Sequence, residues 1–209
     1  LDALRQEQQR TLTTLDGEQK VASRARQLKK ELLGQVRQDR ESLASTLEEL
    51  RSKARALTEL VKKLESRKSA EYTEKTGVFA SRKGRLPWPV EGEVRIGFGT
   101  GRHPDLGTLH DSQGIEIAVS GERPVRAVAE GRVVFANWFK GYGNLLILEH
   151  GDSYYSLYAQ ASRLSATVGQ QVKQGEIVAH SGLAGANGIY FEIRRGSTPL
   201  DPTIWLTPR

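Results

Sequence analysis

The apolar residues of this chain keep two different rhythms, and the change from one to the other divides it. Leu43, Leu47, Leu50, Ala54, Leu57, Val61 and Leu64 are spaced alternately four and three apart, the a/d stripe of a helix that packs along one seam. Ala25, Leu28, Leu32 and Val36 keep a similar rhythm, and Arg40 then falls where an apolar residue is due. Upstream, Leu1, Leu4, Leu12 and Leu15 are sparser. No proline precedes Pro87, and the segment is rich in Leu, Ala, Glu, Gln, Lys and Arg, all good helix formers. Gly17 and Gly34 each weaken a helix by about 1 kcal/mol relative to Ala. The expectation is one long helix, about 100 Å at about 1.5 Å per residue, or two pieces with a break near Gly17 or around residues 34–40. Such a stripe cannot be buried by one helix alone. It calls for another copy, an upstream helix or the chain's own second half. The segment then serves either as a dimerisation or spacer coil, or as an arm that docks on another protein or covers the rest of the chain.

The heptad fades after about residue 70. Residues 71–85 are polar, with Gly77 and Gly84, and read as a linker that is flexible by default, although Phe79 is placed to pin part of it to a surface. Leu86-Pro87-Trp88-Pro89-Val90 opens a second domain, since the prolines stop any helix. From there to residue 209 the period is two. Ile115 to Val119, Val125 to Ala129 and Arg132 to Ala136 are β-rich runs, and nearly all of the 21 glycines follow residue 75. Asn144 to Glu149, the turn His150-Gly151-Asp152-Ser153 and the return run Tyr154 to Tyr158 read as a hairpin. In Gly188-Ile189-Tyr190-Phe191-Glu192-Ile193-Arg194-Arg195 the residues Ile189, Phe191 and Ile193 point one way. Gly188, Tyr190, Glu192 and Arg194 share the opposite face. The predicted organisation is α + β and multidomain: a coiled-coil helical segment over 1–70, a linker over 71–85 and an all-β antiparallel sheet domain over 86–209.

Composition narrows the chemistry. The absence of cysteine excludes disulfides and thiolate metal sites. The net charge of +6 is spread out, with 17 Lys/Arg against 13 Asp/Glu over residues 1–75 and 14 against 12 over the remainder. Interspersed signs read as solvated faces, and a basic chain suits anionic surfaces such as cell-wall polymers or membranes. No nucleic-acid-binding motif and no run of five consecutive basic residues occurs, so nucleic acid is not expected as a partner. No apolar run reaches the length of a membrane span. The sequence begins at Leu1 and reads as a mature or trimmed fragment whose targeting signal lies outside it.

Nine motifs, in order over about 120 residues, carry a family resemblance. They are Trp88-Pro89-Val90, Gly114 to Ala118, Ala127 to Val133, Gly141 to Asn144, Glu149-His150-Gly151, Tyr155 to Ala159, Val168 to Val172, Phe191 to Arg194 and Asp201-Pro202. Together they resemble the LytM, or M23-type, zinc endopeptidases of the bacterial cell wall. What the resemblance implies is three protein ligands on Zn²⁺, from His-x-x-x-Asp and the second His of His-x-His. Assisting imidazoles come from the first His of that pair and from Tyr-Ala-His. Carried onto this chain, the ligand positions hold Ser112, Glu116 and Tyr190, and the imidazole positions hold Gln160 and Gly188. One plausible ligand in three and no imidazole in two cannot make a metal-hydroxide site of the usual kind. No catalytic residue, no metal and no cofactor are expected. A slip of His110 by two residues into the first ligand position would misalign Gly114 and Ile115.

A coiled coil followed by a degenerate LytM domain resembles the EnvC-type murein hydrolase activators. The resemblance implies a periplasmic, non-catalytic protein of cell division and daughter-cell separation. Its LytM groove would bind and activate an N-acetylmuramoyl-L-alanine amidase. Its helical segment would connect to a membrane-bound, ABC-transporter-like division complex and regulate the groove, with peptidoglycan as a further candidate ligand. The candidate groove comprises Ser112, Gln113, Glu116, Tyr142, Gln160, Gly188, Tyr190 and Arg194. Set against this are a zinc endopeptidase with altered ligands and a passive wall-binding coil. On the blander reading of the groove itself, Tyr190 merely plugs an empty site and Arg194 is a surface charge.

Overall fold

A computed structural model describes residues 2–66, 77–102, 109–186 and 188–209. A single helix, α1, runs from Asp2 to Ser66 and passes Gly17 and Gly34 without a break. Local pairs such as Lys20–Asp16 and Lys62–Glu59 brace its exposed faces. The chain divides into compact units at residues 1–52 and 53–209, so the division falls inside α1. In the first unit the apolar stripe is open: Leu28, Leu32, Val36, Leu43 and Leu50 are all exposed. Among the described residues no helix is long and apolar enough to cross a membrane.

The second unit holds the last turns of α1 and, among the described residues, thirteen strands. These are β1 (Val94–Ile96), β2 (Gly99–Arg102), β3 (Leu109–Ser112), β4 (Ile115–Ala118), β5 (Pro124–Arg126), β6 (Gly131–Phe139) and β7 (Gly143–Glu149). There follow β8 (Tyr154–Ala161), β9 (Arg163–Leu164), β10 (Gln171–Val172), β11 (Ile177–His180), β12 (Gly188–Arg195) and β13 (Thr198–Leu200). The main antiparallel sheet runs β1-β4-β12-β8-β7-β6-β10, with β13 added to β12. A smaller sheet, β5-β11-β9, faces it, and β2 and β3 pair as a separate hairpin. The β7–β8 hairpin turns through Gly151, Asp152 and Ser153, all left-handed. This is the turn chemistry that the His-Gly-Asp-Ser run predicts.

Each face of the main sheet has its own core. Ile115, Ile117, Ile189, Phe191, Ile193 and Tyr158 lie in the inner one, against the small sheet. Leu145, Ile147, Tyr155, Leu157 and Ala159 face the other way and enclose Leu57 and Val61 of α1. Leu57 and Val61 are fully buried there. Central strands covered on both sides read as continuous apolar runs rather than alternating ones. This explains why Leu145-Leu146-Ile147-Leu148 is buried without interruption.

The described end of the expected linker is ordered. Phe79 is buried and stacks on His150, with ring centroids 4.6 Å apart, and it also contacts Tyr154 and Trp205. The Gly77 amide donates to the Asp152 carboxylate. Residues 71–76 of that linker lie outside the described residues.

Candidate functional site

Strand β12 builds the floor of the site. Pairing with β4 and β8 places Tyr190 beside Glu116 on one side and Ala159 on the other. Ile189, Phe191 and Ile193 are committed to the inner core, so Gly188, Tyr190, Glu192 and Arg194 are turned to the face that carries α1. Three of these residues form one polar chain. The Tyr190 hydroxyl donates to Glu192 Oε2 at 2.8 Å. Arg194 Nη1 lies 2.9 Å from Glu192 Oε1, with both side chains fully buried. Tyr142, on the β6–β7 turn, meets the Tyr190 ring edge-on at 5.5 Å.

Arg194 is the centre of the network and not a surface charge. Its Nη2 donates to the Ser197 carbonyl at 2.6 Å and to Thr58 Oγ1 of α1 at 3.0 Å. Its Nη1 reaches Gln113 Oε1 at 3.4 Å. A guanidinium deprived of water needs such acceptors, because a buried unpaired charge costs several kcal/mol. Burial raises the Glu192 carboxyl to about 7, against the pull of Arg194 and the Tyr190 hydroxyl bond, which lower it. Burial likewise raises the Tyr190 and Tyr142 phenols far above their usual range, with the Glu192 charge adding to the effect.

The remaining predicted residues lie around this centre in different ways. The Ser112 hydroxyl donates to the Gly114 carbonyl at 2.9 Å. Glu116 stands 3.9 Å from Arg95. Gln160 is left-handed at φ 62°, its backbone N–H donates to the Tyr142 carbonyl, and its buried side-chain Oε1 has no hydrogen-bond partner among the described residues. Gly188 is hemmed in by the neighbouring strand: a Cβ there would stand 1.9 Å from the Ile117 carbonyl oxygen. The helix over the site is held closely too. Gly141 is left-handed at φ 88°, and a Cβ on it would come within 2.7 Å of the Lys53 stem.

Residues 110–202 match peptidase family M23. They form an M23 peptidase domain. The chain is also 35% identical over 148 residues to the murein hydrolase activator EnvC of Escherichia coli K12, covering 69% of this chain and 34% of that protein. It is 37% identical over 125 residues to the murein hydrolase activator NlpD of the same organism, covering 58% and 31%. The chain thus spans about a third of the length of the curated relatives it matches. A crystal structure of an M23 peptidase from Pseudomonas aeruginosa superposes with a TM-score of 0.54 over 76% of this chain and 62% of that one, at 22% identity. That likeness is one of fold.

The donors of this M23 domain do not fit a tetrahedral zinc ion, which takes imidazole, thiolate or carboxylate ligands. At the ligand positions Ser112 offers a hydroxyl already bonded to backbone, and Tyr190 a phenol held by Glu192. Position 188 has neither a side chain nor room for one. Sequence reading missed Glu192, Ser197 and the α1 residues Leu57, Thr58 and Val61. The alternation of β12 already put Glu192 on the right face. Thr58 lies 136 residues from Arg194, and no local pattern joins the two.

Proposed function

We propose that the chain is a non-catalytic activator of periplasmic peptidoglycan amidases, closed at rest by the last turns of its own helix. The observation that carries this reading is the cover over the site. Leu57 and Val61 are fully buried against the face that Tyr190 and Arg194 occupy, and Thr58 accepts a bond from Arg194. Large aromatic and arginine side chains are favoured anchors at protein interfaces. Here they lie under a helix whose stripe, in residues 1–52, is open for another partner. The relatives named murein hydrolase activators support the activating role. The amidase, the membrane-bound ABC-transporter-like division complex that would draw the helix away, and a function in daughter-cell separation come from the resemblance to EnvC-type proteins. The groove of Ser112, Gln113, Glu116, Tyr142, Gln160, Gly188, Tyr190 and Arg194 is the proposed contact. Activation is then a shift between two states, which a partner drives by binding the open one better.

The test is dye release from labelled peptidoglycan sacculi, with the chain alone and with a periplasmic amidase of the same organism. Release should require the amidase and should rise when Leu57→Ala and Val61→Ala loosen the cover. Release by the chain alone, abolished by a chelator, would establish a zinc endopeptidase instead. Pelleting with sacculi without any effect on the amidase would make it a passive wall-binding protein.

A further inference from the structure

The last turns of α1 satisfy the apolar part of the groove more fully than its polar part. Leu57 and Val61, one turn apart, are fully buried. The Arg194 guanidinium is served less well. Nη1 has Glu192 and Gln113, and Nη2 has Ser197 and Thr58. Nε, however, has no hydrogen-bond partner among the described residues. Nε and Nη2 share one edge of the guanidinium, the edge from which a carboxylate accepts two parallel N–H bonds. The helix brings only a neutral hydroxyl to Nη2, and its proton is already given to the Ala54 carbonyl at 3.0 Å. The carboxylate on the other side, Glu192, is raised to about 7 by burial.

Building on the closed-helix reading above, we propose that the partner this chain activates inserts an amphipathic helix with an acidic residue at the place of Thr58. That residue is flanked by apolar residues at the places of Leu57 and Val61. The recognised print is apolar, acidic, one free position, then two apolar residues, since Leu60 also packs against this cluster. The apolar residues match what the chain's own helix offers. The carboxylate supplies a charge-assisted, two-pronged bond that the chain's own helix lacks, and this lets a separate molecule displace a tethered one. Charged hydrogen bonds are roughly twice as strong as neutral ones.

The chain has no cysteine, so Ala159→Cys gives a single thiol on the covered face, at a fully buried position. Synthetic peptides spanning residues 50–66 are added in trans to this full chain in three forms: unchanged, T58D and T58V. Asp and Thr have similar helix propensity, so the comparison isolates the charge. Thiol labelling reports uncovering, and polarisation of dye-tagged peptides reports binding. The T58D peptide should act at about tenfold lower concentration than the unchanged one, and T58V should be the weakest. In an Arg194→Gln chain the T58D and unchanged peptides should bind equally. If T58D is no better than Thr, or keeps its advantage without Arg194, the acidic print is wrong while the closed helix stands. If no peptide raises labelling, the helix is not exchangeable, and the closed-helix reading fails with the proposal.

Discussion

Glu192 is a buried acid whose protonation is tied to folding. Its carboxyl titrates at about 7 in the folded chain, against an ordinary value of 4.5. The folded state therefore binds more protons than the unfolded state between those values, and stability falls as pH rises through that window. The size of the effect is on the order of 3 kcal/mol. His150 acts in the opposite sense. Burial lowers it from 6.5 to about 4, so stability rises with pH between about 4 and 6.5. The two slopes partly cancel below pH 6.5, and the Glu192 contribution is isolated by comparing the chain with Glu192→Gln. Urea midpoints from pH 4.5 to 7.5 should fall more steeply for the native chain than for the variant. Identical slopes would show that Glu192 stays ionised in the fold. Gly188 yields a second expectation at this scale. Its missing Cβ is demanded by the Ile117 carbonyl, so Gly188→Ala should lower stability by roughly 1–3 kcal/mol, as overpacking does. Gly188→His should do worse and restore no zinc binding; a stable, zinc-binding Gly188→His chain would refute this.

The aromatic strap is the clearest case at the scale of elements. Phe79 closes over His150, whose Nδ1 lies 2.7 Å from the Glu130 carbonyl and whose Nε2 lies 2.7 Å from Ser156 Oγ. Phe79→Ala should cost about 3 kcal/mol, at the low end for losing a buried phenylalanine. It should also move the His150 titration upward from about 4, because burial is the main cause of its low value. An NMR titration of the His150 ring checks this, and an unchanged midpoint would mean that the strap does not shield the ring. The same elements show what the sequence can carry. The β12 alternation set out the inner core and the opposite face correctly, because a strand has only two faces. The four-three stripe announced a helix that had to bury one seam. It could not say that Leu57 and Val61 would choose Ile147, Leu157 and Ala159, since a periodic pattern defines a surface and not its mate. Residues 77–85 read as linker because Ser81 to Arg85 is polar, and the buried Phe79 is enough to anchor them.

At the scale of the whole molecule, a groove covered by its own chain binds a partner less tightly than an open one. The apparent dissociation constant is the intrinsic one divided by the open fraction. On the proposed function, a single change, Val61→Ala, should therefore tighten amidase binding, and Leu57→Ala with Val61→Ala should tighten it further. Each buried truncation of this kind costs about 1–4 kcal/mol, and the cost falls on the closed state alone. The gain must saturate: once most molecules are open, further loosening leaves the affinity where it is. Arg194→Gln behaves differently, because Arg194 serves the closed state through Thr58 and the proposed partner through the same guanidinium. It should open the groove and still weaken amidase binding, giving more thiol exposure with less activation. Titration calorimetry across this series, read beside labelling of the thiol that Ala159→Cys introduces, separates the two effects. If affinity kept rising in proportion to exposure in every variant, Arg194 included, the groove would only need uncovering and Arg194 would not touch the partner.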